Sequence, residues 1–504
     1  MTATDRPAAA LDAAAHDDAQ RDGVLDMDVE AFRSAAHDAV DIMANYLASI
    51  ERYAVFANVE PGSIAPQFPS APPDQGEPIG AILEDYQRLV EPNATAWQHP
   101  GFLAYFPTTA SAPGIIGEML TAAIGQNAML WRTSPIATEL EGVVVGWLRQ
   151  ALGLPDAFDG LLTDTASTSS TIALAAAREA AGIDAAAQGL GGRGPDVPRL
   201  RVYASAEAHS SIEKACMTLG MGRASYIAIP TDGEYRLRPD ALGEAIRADR
   251  TDGHQPIAIV ATAGTTSSTA VDPVAELARI ARDNGLWLHV DAAYGGAAAI
   301  LPEERGLFAG WEDADSIVVN PHKWLFTPLD ASLFLCRRLD QARAAFSLSP
   351  EYLRTLDRSS PVRDYNEFQP QLGRRFRALK LWVLIRWFGL DGLRRRVRRH
   401  IELAREFGAW VDADPDWERL APVPLATVCV RHRPPDLARD EAAIDAHNAA
   451  VIEAVNRTGE VFLSHTRLSG RFAIRLSVGS IRTEARHVKR AWELLRSAAE
   501  EVKR

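Results

Sequence analysis

The stretch from residue 257 to residue 291 most constrains the fold, because two apolar runs in it flank a helix with recognisable ends. The runs are residues 257–262 (IAIVAT) and 286–291 (LWLHVD). Between them, Asp272 can cap a helix, Pro273 suits its first turn and Gly285 suits its end. A strand, a helix and a strand at this spacing predict a βαβ unit, so we expect a largely parallel sheet with both faces covered. Further apolar runs of this kind lie at residues 199–204, 316–320 and 332–336.

Composition narrows the class of protein. The 504 residues include 53 Lys and Arg against 66 Asp and Glu, a net charge of −13, and 47% of them are hydrophobic, which supplies a large core. An acidic chain argues against a nucleic-acid partner, because phosphate backbones attract Lys- and Arg-rich surfaces. With no long apolar run and no secretory leader, neither a membrane partner nor secretion is expected. Three widely spaced Cys residues give no disulfide or metal-binding pattern, so we expect a cytoplasmic protein without a metal site.

The patterning along the chain predicts four parts. They are a disordered tail at 1–25, an N-terminal helical and extended dimerisation arm at 26–110, a large cofactor-binding domain at 111–395 and a small α+β domain at 396–504. In the arm, a helix begins near Asp28 and a Pro-rich connector covers 60–78. A long charged loop is expected at 348–371, followed by a helix from about Arg374. Strands of the last part are expected at 427–430 and 472–478.

Lys323 follows a predicted strand and stands in the sequence Asn-Pro-His-Lys-Trp (320–324). A lysine in a loop is ordinarily a solvated surface residue. Here Trp324 and Phe326 follow it, and enclosure by such side chains lowers the pKa of an amine. An amine of this kind can form a Schiff base with an aldehyde, which makes Lys323 a candidate catalytic residue.

Asp291 ends the apolar run at 286–291, where its side chain is expected to point into the crevice at the carboxyl ends of the strands. One interpretation is a capping residue for the following turn. The other is a buried carboxylate that keeps the nitrogen of a bound heterocycle protonated, since each pKa unit gained by that nitrogen corresponds to about 1.4 kcal/mol.

Small hydroxyl residues at 164–171 (DTASTSST) lead into an Ala-rich helical run. The N–H groups and dipole of a helix N-terminus bind anions, although a simple Ser or Thr cap fits this segment equally well. The chain has no GK[ST] motif, so the P-loop signature is missing, and the GxGxxG pattern at 189–194 (GLGGRG) does not follow a predicted strand, as a dinucleotide-binding motif would. His209, after the run at 199–204, is either a stacking partner for a flat ring or a hydrogen-bonded loop residue.

These four features together indicate one cofactor. A phosphate cradle, a carboxylate for a ring nitrogen, an imidazole that stacks and an enclosed amine are the requirements of a pyridoxal phosphate site. Lys323 lies 32 residues beyond Asp291 in the sequence, at the end of the next predicted strand, so both side chains are expected to reach one cofactor.

With these motifs, the chain resembles the group II pyridoxal-phosphate-dependent decarboxylases, most closely the aromatic-L-amino-acid decarboxylase branch. The matching segments are HPGFLAYFPTTAS (99–111), SPIATELE (134–141), AHSSIEKA (208–215), ATAGTT (261–266), HVDAAYGG (289–296), NPHKW (320–324) and LGRRFRALKLW (372–382). The resemblance implies an α/β fold of the aspartate-aminotransferase-like type (fold type I), with a mainly parallel seven-stranded sheet and a small α+β C-terminal domain. It also implies a homodimer with shared active sites.

The resemblance implies a role for each matched residue. Lys323 would carry pyridoxal 5′-phosphate covalently, Asp291 would pair with its ring nitrogen, and His209 would stack on its ring. The other cofactor contacts would come from Thr165, Ala166, Ser167, Thr266, Asn320 and His322. Tyr365, on a mobile loop, would be the catalytic residue that returns a proton to the substrate carbon. A phenylalanine replaces this tyrosine in related aromatic aldehyde synthases, so Tyr365 favours a decarboxylase.

The residues expected to contact the substrate form an aromatic patch and a second group beyond it. They are Trp97, Phe102, Tyr105, Phe106, Pro107, Thr108, Asn127, Met129, His209 and Gly373. An apolar pocket suits an aromatic amino acid, and Gly373 leaves room that favours an indole. Asn127 and Met129 stand where animal enzymes carry apolar residues, and Thr168 stands where the family usually has Glu. These departures leave the preferred amino acid and the cofactor affinity open.

The leading hypothesis for the function is decarboxylation of an L-aromatic amino acid (tryptophan, 5-hydroxytryptophan, DOPA, tyrosine or phenylalanine) to its amine. One alternative is an aldehyde synthase, which couples decarboxylation to oxidative deamination. Another is decarboxylation of an acidic amino acid, which needs a cationic pocket group that the sequence does not identify. A scaffold protein without activity is disfavoured, because Lys323, Asp291, His209 and Tyr365 are all present.

Overall fold

The structure is a computed structural model that describes residues 26–57, 59–194, 197–348, 363–437 and 439–502. The predicted tail at 1–25 and residues 349–362 of the predicted loop lie outside the described residues. The chain divides into two compact units, one of Met1–Tyr53 with Ala57–Ala94 and one of Ala54–Phe56 with Thr95–Arg504. Residues 95–110 of the predicted arm belong to the second unit.

The α-helices of the described ranges are α1 (Val29–Ala48), α2 (Ile79–Asp85), α3 (Ala112–Ile124), α4 (Pro135–Ala151), α5 (Ala166–Ala180), α6 (Ala185–Gln188), α7 (Ser211–Thr218), α8 (Pro239–Thr251), α9 (Val274–Asn284), α10 (Pro321–Trp324), α11 (Leu339–Phe346), α12 (Arg377–Asp412), α13 (Glu441–Arg457) and α14 (Ala485–Val502). The strands are β1 (Asp159–Thr163), β2 (Leu200–Ser205), β3 (Tyr226–Ile229), β4 (Gln255–Thr262), β5 (Trp287–Asp291), β6 (Ser316–Val319), β7 (Ser332–Cys336), β8 (Trp417–Arg419), β9 (Thr427–His432), β10 (Ser464–Leu468) and β11 (Arg471–Ser477). No helix in these ranges is both long and apolar enough to cross a membrane.

The first unit contains α1 and α2. The helix predicted near Asp28 is confirmed, because the Asp28 carboxylate accepts hydrogen bonds from Glu30 N and Ala31 N at 3.0 Å each and so caps α1. No residue of α1 is buried. The predicted Pro-rich connector holds a single short 3₁₀ turn, Ala65–Gln67, among turns and bends.

The second unit is built on a seven-stranded sheet with the order β1-β7-β6-β5-β4-β2-β3. The pairs β3–β2, β2–β4, β4–β5 and β5–β6 are parallel, and β7 runs antiparallel to both β6 and β1. The predicted mainly parallel sheet is confirmed. β1 and β3 were not predicted, since β1 begins with Asp-Gly and β3 has four residues of which only Ile229 is buried.

The crossover from β4 to β5 differs from its prediction at one end. Gly285 ends α9 in the left-handed conformation (φ 66°), as expected. Asp272 does not cap the helix, whose N-terminal position is Pro273. The Asp272 carboxylate instead accepts hydrogen bonds from Leu237 N and Thr262 N, at 2.7 Å each. It therefore fixes the end of β4, where the chain enters the site.

A smaller α+β domain follows, with the antiparallel order β10-β11-β9-β8. The strands predicted at 427–430 and 472–478 are confirmed as β9 and β11. The predicted border at 395–396 falls inside α12, which also bends at Gly389 (φ 60°, ψ 166°). The domain boundaries stay a prediction.

Candidate active site

The carboxyl ends of the central strands surround a cavity of about 220 Å³ in the second unit. It is lined by Phe106, Thr165, Ala166, Ser167, His209, Thr262, Gly264, Thr266, Asp291, Ala293, Tyr294, Asn320, His322 and Lys323. All nine residues that were predicted to bind the cofactor are among them. They meet because parallel strands place the residues that follow them at one edge of the sheet.

The N-terminus of α5 forms one wall of the cavity. Thr165 precedes the helix in extended conformation (φ −139°, ψ 161°) and its side chain makes no capping hydrogen bond. The first helical bond runs from Ser169 N to Thr165 O, so the amides of Ala166, Ser167 and Thr168 have no acceptor within the helix. A simple side-chain cap is thus excluded, and the free amides and the helix dipole suit an anion.

Asp291 is the last residue of β5 and is 5% exposed. One carboxylate oxygen accepts a hydrogen bond from Ala293 N at 3.1 Å, which is the turn contact that one interpretation predicted. The same carboxylate lines the cavity. Among the described residues Asp291 forms no ion pair, so its charge is available to a group in the cavity.

Lys323 lies on the short turn α10, directly after β6. Burial lowers the pKa of its amine, the charge of Asp291 opposes that shift, and the charge of Arg475 adds to it. The predicted enclosure is confirmed, with Trp324 and Phe326 fully buried and the amine 5.2 Å from the centre of the Phe106 ring. A larger fraction of the amine is therefore neutral and nucleophilic than in water.

His209 is both a hydrogen-bonded loop residue and a residue of the cavity wall, so it has features of both interpretations. Its Nδ1 atom accepts a hydrogen bond from Ser211 N at 3.2 Å and lies 2.9 Å from Ser211 Oγ, while the ring lines the cavity. Burial lowers the pKa of His209, which favours the neutral ring. Because Nδ1 is an acceptor, the proton of that neutral ring belongs on Nε2.

Two further polar groups complete the wall next to Lys323. The amide oxygen of Asn320 is buried without a hydrogen-bond partner among the described residues. His322 Nδ1 accepts a hydrogen bond from Ala331 N at 2.9 Å, and burial lowers the pKa of His322 to about 4. An unpaired buried amide is costly unless a ligand satisfies it, so this wall suits a polar ligand group.

The structure does not bring Tyr365 to this cavity. Tyr365 is 1% exposed in the 3₁₀ turn Tyr365–Phe368, near the end of the loop predicted at 348–371. The Arg374 guanidinium lies 4.6 Å from the centre of its ring. Burial raises the pKa of the Tyr365 hydroxyl. Its role as a proton donor stays a prediction.

The predicted substrate residues separate into two groups, and only Phe106 and His209 line the cavity. Trp97 stacks on Phe102 at 4.3 Å and on Tyr105 at 6.2 Å, in a cluster that includes Phe462. Pro107 is buried and Thr108 partly exposed beside this cluster in sequence. C-terminal residues hold the segment, since Leu103 N donates to Phe462 O at 3.0 Å and Ser477 N donates to Leu103 O at 2.8 Å.

The second group, Asn127, Met129 and Gly373, lies away from the cavity wall. The Asn127 amide oxygen accepts a hydrogen bond from Arg374 N at 2.9 Å, and the Asn127 side chain contacts Met129 Sδ at 3.5 Å. Asn127 is exposed, and a Cβ atom on Gly373 would meet nothing within 4 Å. A buried ion pair supports this group, because Arg374 bonds Glu141 at 2.6 Å with both side chains fully shielded.

Arg475 is a candidate site residue that the sequence did not predict. It is 3% exposed, and its guanidinium lies 4.5 Å from the centre of the Phe106 ring. It donates hydrogen bonds to Ser267 O (3.2 Å) and to Tyr105 O, while Nη2 has no partner among the described residues. The signal in the sequence was an arginine inside the apolar strand run FAIRLS (472–477), because an arginine is rarely buried in a strand unless it has a partner.

An aromatic stack connects this arginine to the lysine. Phe106 stacks on Tyr294 at 3.8 Å and 11°, and Tyr294 stacks on Trp324 at 4.7 Å and 7°. Trp324 Nε1 donates a hydrogen bond to His400 Nδ1 at 2.9 Å. Trp324, the residue after Lys323, is thereby held by packed rings and a hydrogen bond.

Comparisons with known proteins agree with this geometry. A family model described as "Pyridoxal-dependent decarboxylase conserved domain" matches residues 61–433. The phenylacetaldehyde synthase of Arabidopsis thaliana is 39% identical, over 94% of this chain and 96% of that protein. The aromatic-L-amino-acid decarboxylase of Sus scrofa is 39% identical, over 94% of this chain and 98% of that protein. The crystal structure of an Oryza sativa TDC with PLP and tryptamine superposes with a TM-score of 0.91 at 37% identity, over 95% of this chain and 99% of the other.

Proposed function

The chain belongs to the pyridoxal-dependent decarboxylase family, and from that premise we propose that it converts an L-aromatic amino acid into its amine and CO₂. Membership makes it a PLP-dependent enzyme of fold type I. The observation that carries the proposal is that one cavity holds Lys323, Asp291, His209 and the uncapped N-terminus of α5. The decisive test is a screen of amino acids for amine and CO₂ formation, with Lys323→Ala as the inactive control.

The cavity fits PLP on three observations. The free amides of α5, with Thr165, Ala166 and Ser167, suit the phosphate, and the unpaired Asn320 amide and His322 border the same space. Asp291 is the carboxylate for the ring nitrogen, and His209 and Thr266 lie along the wall for the ring. When bound, PLP accepts the electron pair that the departing carboxylate leaves on the substrate carbon.

The protein's own residues prepare this chemistry. Lys323 supplies the amine for covalent attachment, and burial, which lowers its pKa, increases the neutral fraction of that amine. Asp291 would keep a proton on the ring nitrogen, and a protonated ring would be the better acceptor of the electron pair. His209 presents an Nε2 proton, since Ser211 occupies Nδ1.

Arg475 is proposed to bind the α-carboxylate of the substrate. The positive charge of Arg475 lowers the pKa of the Lys323 amine, which places the two groups within electrostatic range of each other. The guanidinium packs on the cavity residue Phe106, and its Nη2 atom lacks a hydrogen-bond partner among the described residues. An arginine fork is suited to a carboxylate. It orients the bond that breaks, because a bound carboxylate fixes the substrate relative to Lys323 and Asp291.

The aromatic class of substrate is supported by the aromatic cluster that adjoins Phe106 in the sequence. Trp97, Phe102, Tyr105 and Phe462 provide apolar ring surface, of which Trp97 (37%) and Tyr105 (53%) remain exposed. The alternative of an acidic substrate lacked a cationic group, and Arg475 is such a group. A single arginine is already needed for the α-carboxylate that every amino acid carries, so it does not favour an acidic side chain. Activity on glutamate above that on tryptophan, tyrosine or DOPA would reverse this choice.

The aldehyde synthase alternative needs its own test, because a synthase and a decarboxylase are equally similar to this chain, at 39% identity. Coupled detection of peroxide separates the two outcomes. The predicted loop contains two tyrosines, Tyr365, which is buried, and Tyr352, which lies outside the described residues. Comparing Tyr365→Phe with Tyr352→Phe assigns the proton donor to whichever variant shifts product from amine to aldehyde. If neither variant does, the donor is not a tyrosine of this loop.

A homodimer with shared active sites is also proposed. Its support is an apolar surface on the second unit, with Ile116, Leu120 and Ile124 of α3 between 50% and 54% exposed and Trp387 of α12 73% exposed. Exposed patches of this kind mark interfaces. Asn127, Met129 and Gly373 lie outside the cavity of their own chain, as expected if they act in a second copy. Sedimentation of a fully active monomer would contradict the dimer.

A cytoplasmic location is proposed from the cysteines. Cys216, Cys336 and Cys429 are free and buried, which suits a reducing compartment. Cell fractionation tests this, and recovery of the protein from an oxidising compartment would overturn it.

A further inference from the structure

His289 is fully buried on β5, two residues before Asp291. Side chains two apart on a strand point to the same face of the sheet, so His289 lies behind Asp291 as seen from the cavity edge. It belongs to a segment matched to the family, HVDAAYGG (289–296), yet it does not line the cavity and has no part in the chemistry proposed above. A buried histidine at this place needs an explanation.

Both ring nitrogens of His289 are hydrogen-bonded to hydroxyl groups. Nε2 lies 3.3 Å from Ser170 Oγ, and Nδ1 lies 2.9 Å from Ser316 Oγ. Ser316 Oγ also accepts a hydrogen bond from Trp287 Nε1 at 2.9 Å. A neutral imidazole has one donor and one acceptor, which two hydroxyl groups satisfy completely.

These bonds join three elements that border the cavity. Ser170 stands in α5, whose N-terminus is the anion-binding wall. Ser316 begins β6, the strand that leads to Asn320 and Lys323. His289 itself is on β5, which ends at Asp291. One ring therefore fixes the phosphate wall, the carboxylate and the lysine turn relative to one another.

The ring is also held neutral. Burial lowers the pKa of His289 to about 4, against the opposing charge of Asp291. An imidazolium behind Asp291 would compete with a cation in the cavity for the carboxylate charge. A neutral ring does not compete, so the carboxylate interacts with the cavity side alone.

We propose that His289 is a positioning residue for the cofactor, which acts through its bonds to Ser170 and Ser316 and leaves the charge of Asp291 to the ring nitrogen. The inference rests on the proposed role of Asp291. It predicts effects on cofactor affinity and on the protonation of the bound cofactor, whereas a histidine that merely fills the core would affect stability alone.

The test uses His289→Leu, which removes both bonds, and His289→Gln, which can both donate and accept. Ser170→Ala removes one bond and leaves the ring in place. His447→Leu is the matched control, because His447 is another buried histidine, bonded to His432 at 2.8 Å, and belongs to α13 of the small domain. Each variant is compared with the wild type by PLP titration of the apo-enzyme, by pH titration of the visible absorbance of bound PLP, and by thermal unfolding.

We expect His289→Leu to weaken PLP binding by about 10- to 100-fold, the range seen when outer partners of metal ligands are removed, and to shift the pH titration of the absorbance. His289→Gln should recover most of the affinity, and Ser170→Ala should weaken it in the same direction. His447→Leu should lower the unfolding temperature with no change in PLP affinity.

The inference is overturned if His289→Leu and Ser170→Ala bind PLP with wild-type affinity and an unchanged pH titration. If His289→Leu does not fold, Ser170→Ala decides alone, since it removes one bond with little change in volume: wild-type PLP affinity and an unchanged pH titration in that variant overturn the inference. Absence of PLP binding in the wild type would instead refute the proposed site, which separates the two failures.

Discussion

Replacing Arg475 by Met removes a guanidinium and keeps most of the side-chain volume. In the proposed complex that guanidinium binds the α-carboxylate of the amino acid, and a hydrogen bond to a charged partner contributes about 1.5–3 kcal/mol. The expected loss in kcat/KM is therefore about 10- to 150-fold. Arg475→Lys keeps the charge but loses the fork, so its loss should be intermediate.

The change also has a structural cost, which must be separated from the catalytic one. Arg475 donates to Ser267 O and Tyr105 O, and each hydrogen bond from a charged group contributes about 1.5–3 kcal/mol of stability. The product amine provides the separation, because it keeps the aromatic ring and has lost the carboxylate. Inhibition by the amine should be nearly unchanged in Arg475→Met, while kcat/KM for the amino acid falls.

The control variant is Arg467→Met on the neighbouring strand β10, where the arginine is 60% exposed and pairs with Asp445 at 2.8 Å. It should leave kcat/KM within about twofold of the wild type, because exposed ion pairs contribute little. If Arg475→Met weakens amino acid and amine equally, the arginine is a structural residue and its assignment to the carboxylate is refuted.

Three further changes test the structure around the site. Glu141→Gln leaves Arg374 buried without a counter-charge, so urea unfolding should show a loss of about 3–5 kcal/mol, and a loss under about 1 kcal/mol would contradict the buried pair. Gly117→Ala would place a Cβ atom 2.6 Å from Lys380 Cα and should cost about 1–3 kcal/mol, whereas Gly146→Ala on α4, where nothing lies within 4 Å, should not destabilise. Burial lowers the pKa of His289 and His322 to about 4 and of His400 to about 3. These pKa values lie below the ordinary value of about 6.5, so as the pH falls the unfolded chain binds protons before the folded chain does. The free energy of unfolding is therefore fully retained above about pH 6.5 and falls between about pH 6.5 and pH 4. For each of these histidines the loss is about 1.4 kcal/mol per pH unit. Unfolding of the apo-enzyme across this range should show a shallower slope for His400→Gln, and identical slopes would rule the histidine out as a cause.

Much of the fold and of the cofactor wall could be predicted because the information is local. Lys323, Asp291 and His209 each follow an apolar run, and a parallel sheet gathers such positions at one edge. The strands β1 and β3 were missed for an equally local reason, since an Asp-Gly start and a short, partly exposed edge strand give weak patterns.

Other features depend on contacts between distant parts of the chain. The helix expected from Arg374 begins instead at Arg377, where the structure uses the Arg374 side chain to pair with Glu141 and to bond Ala128 O and Leu162 O. The same pairing leaves Tyr365 packed under a guanidinium. Arg475 could be noticed in the sequence as a charge within an apolar run, but its neighbour Phe106 lies far away along the chain. No local pattern carries that information.

The anchoring of the segment around Leu103 by Phe462 and Ser477 has a consequence for biosynthesis. Phe106 is translated early and Arg475 late, so most of the chain must leave the ribosome before these two sides of the pocket can come together. We expect nascent chains that stop before β11 to bind PLP poorly, even though they already contain Lys323, Asp291 and His209. Loading of the cofactor is then a late event in the maturation of this protein, after translation of its last sheet.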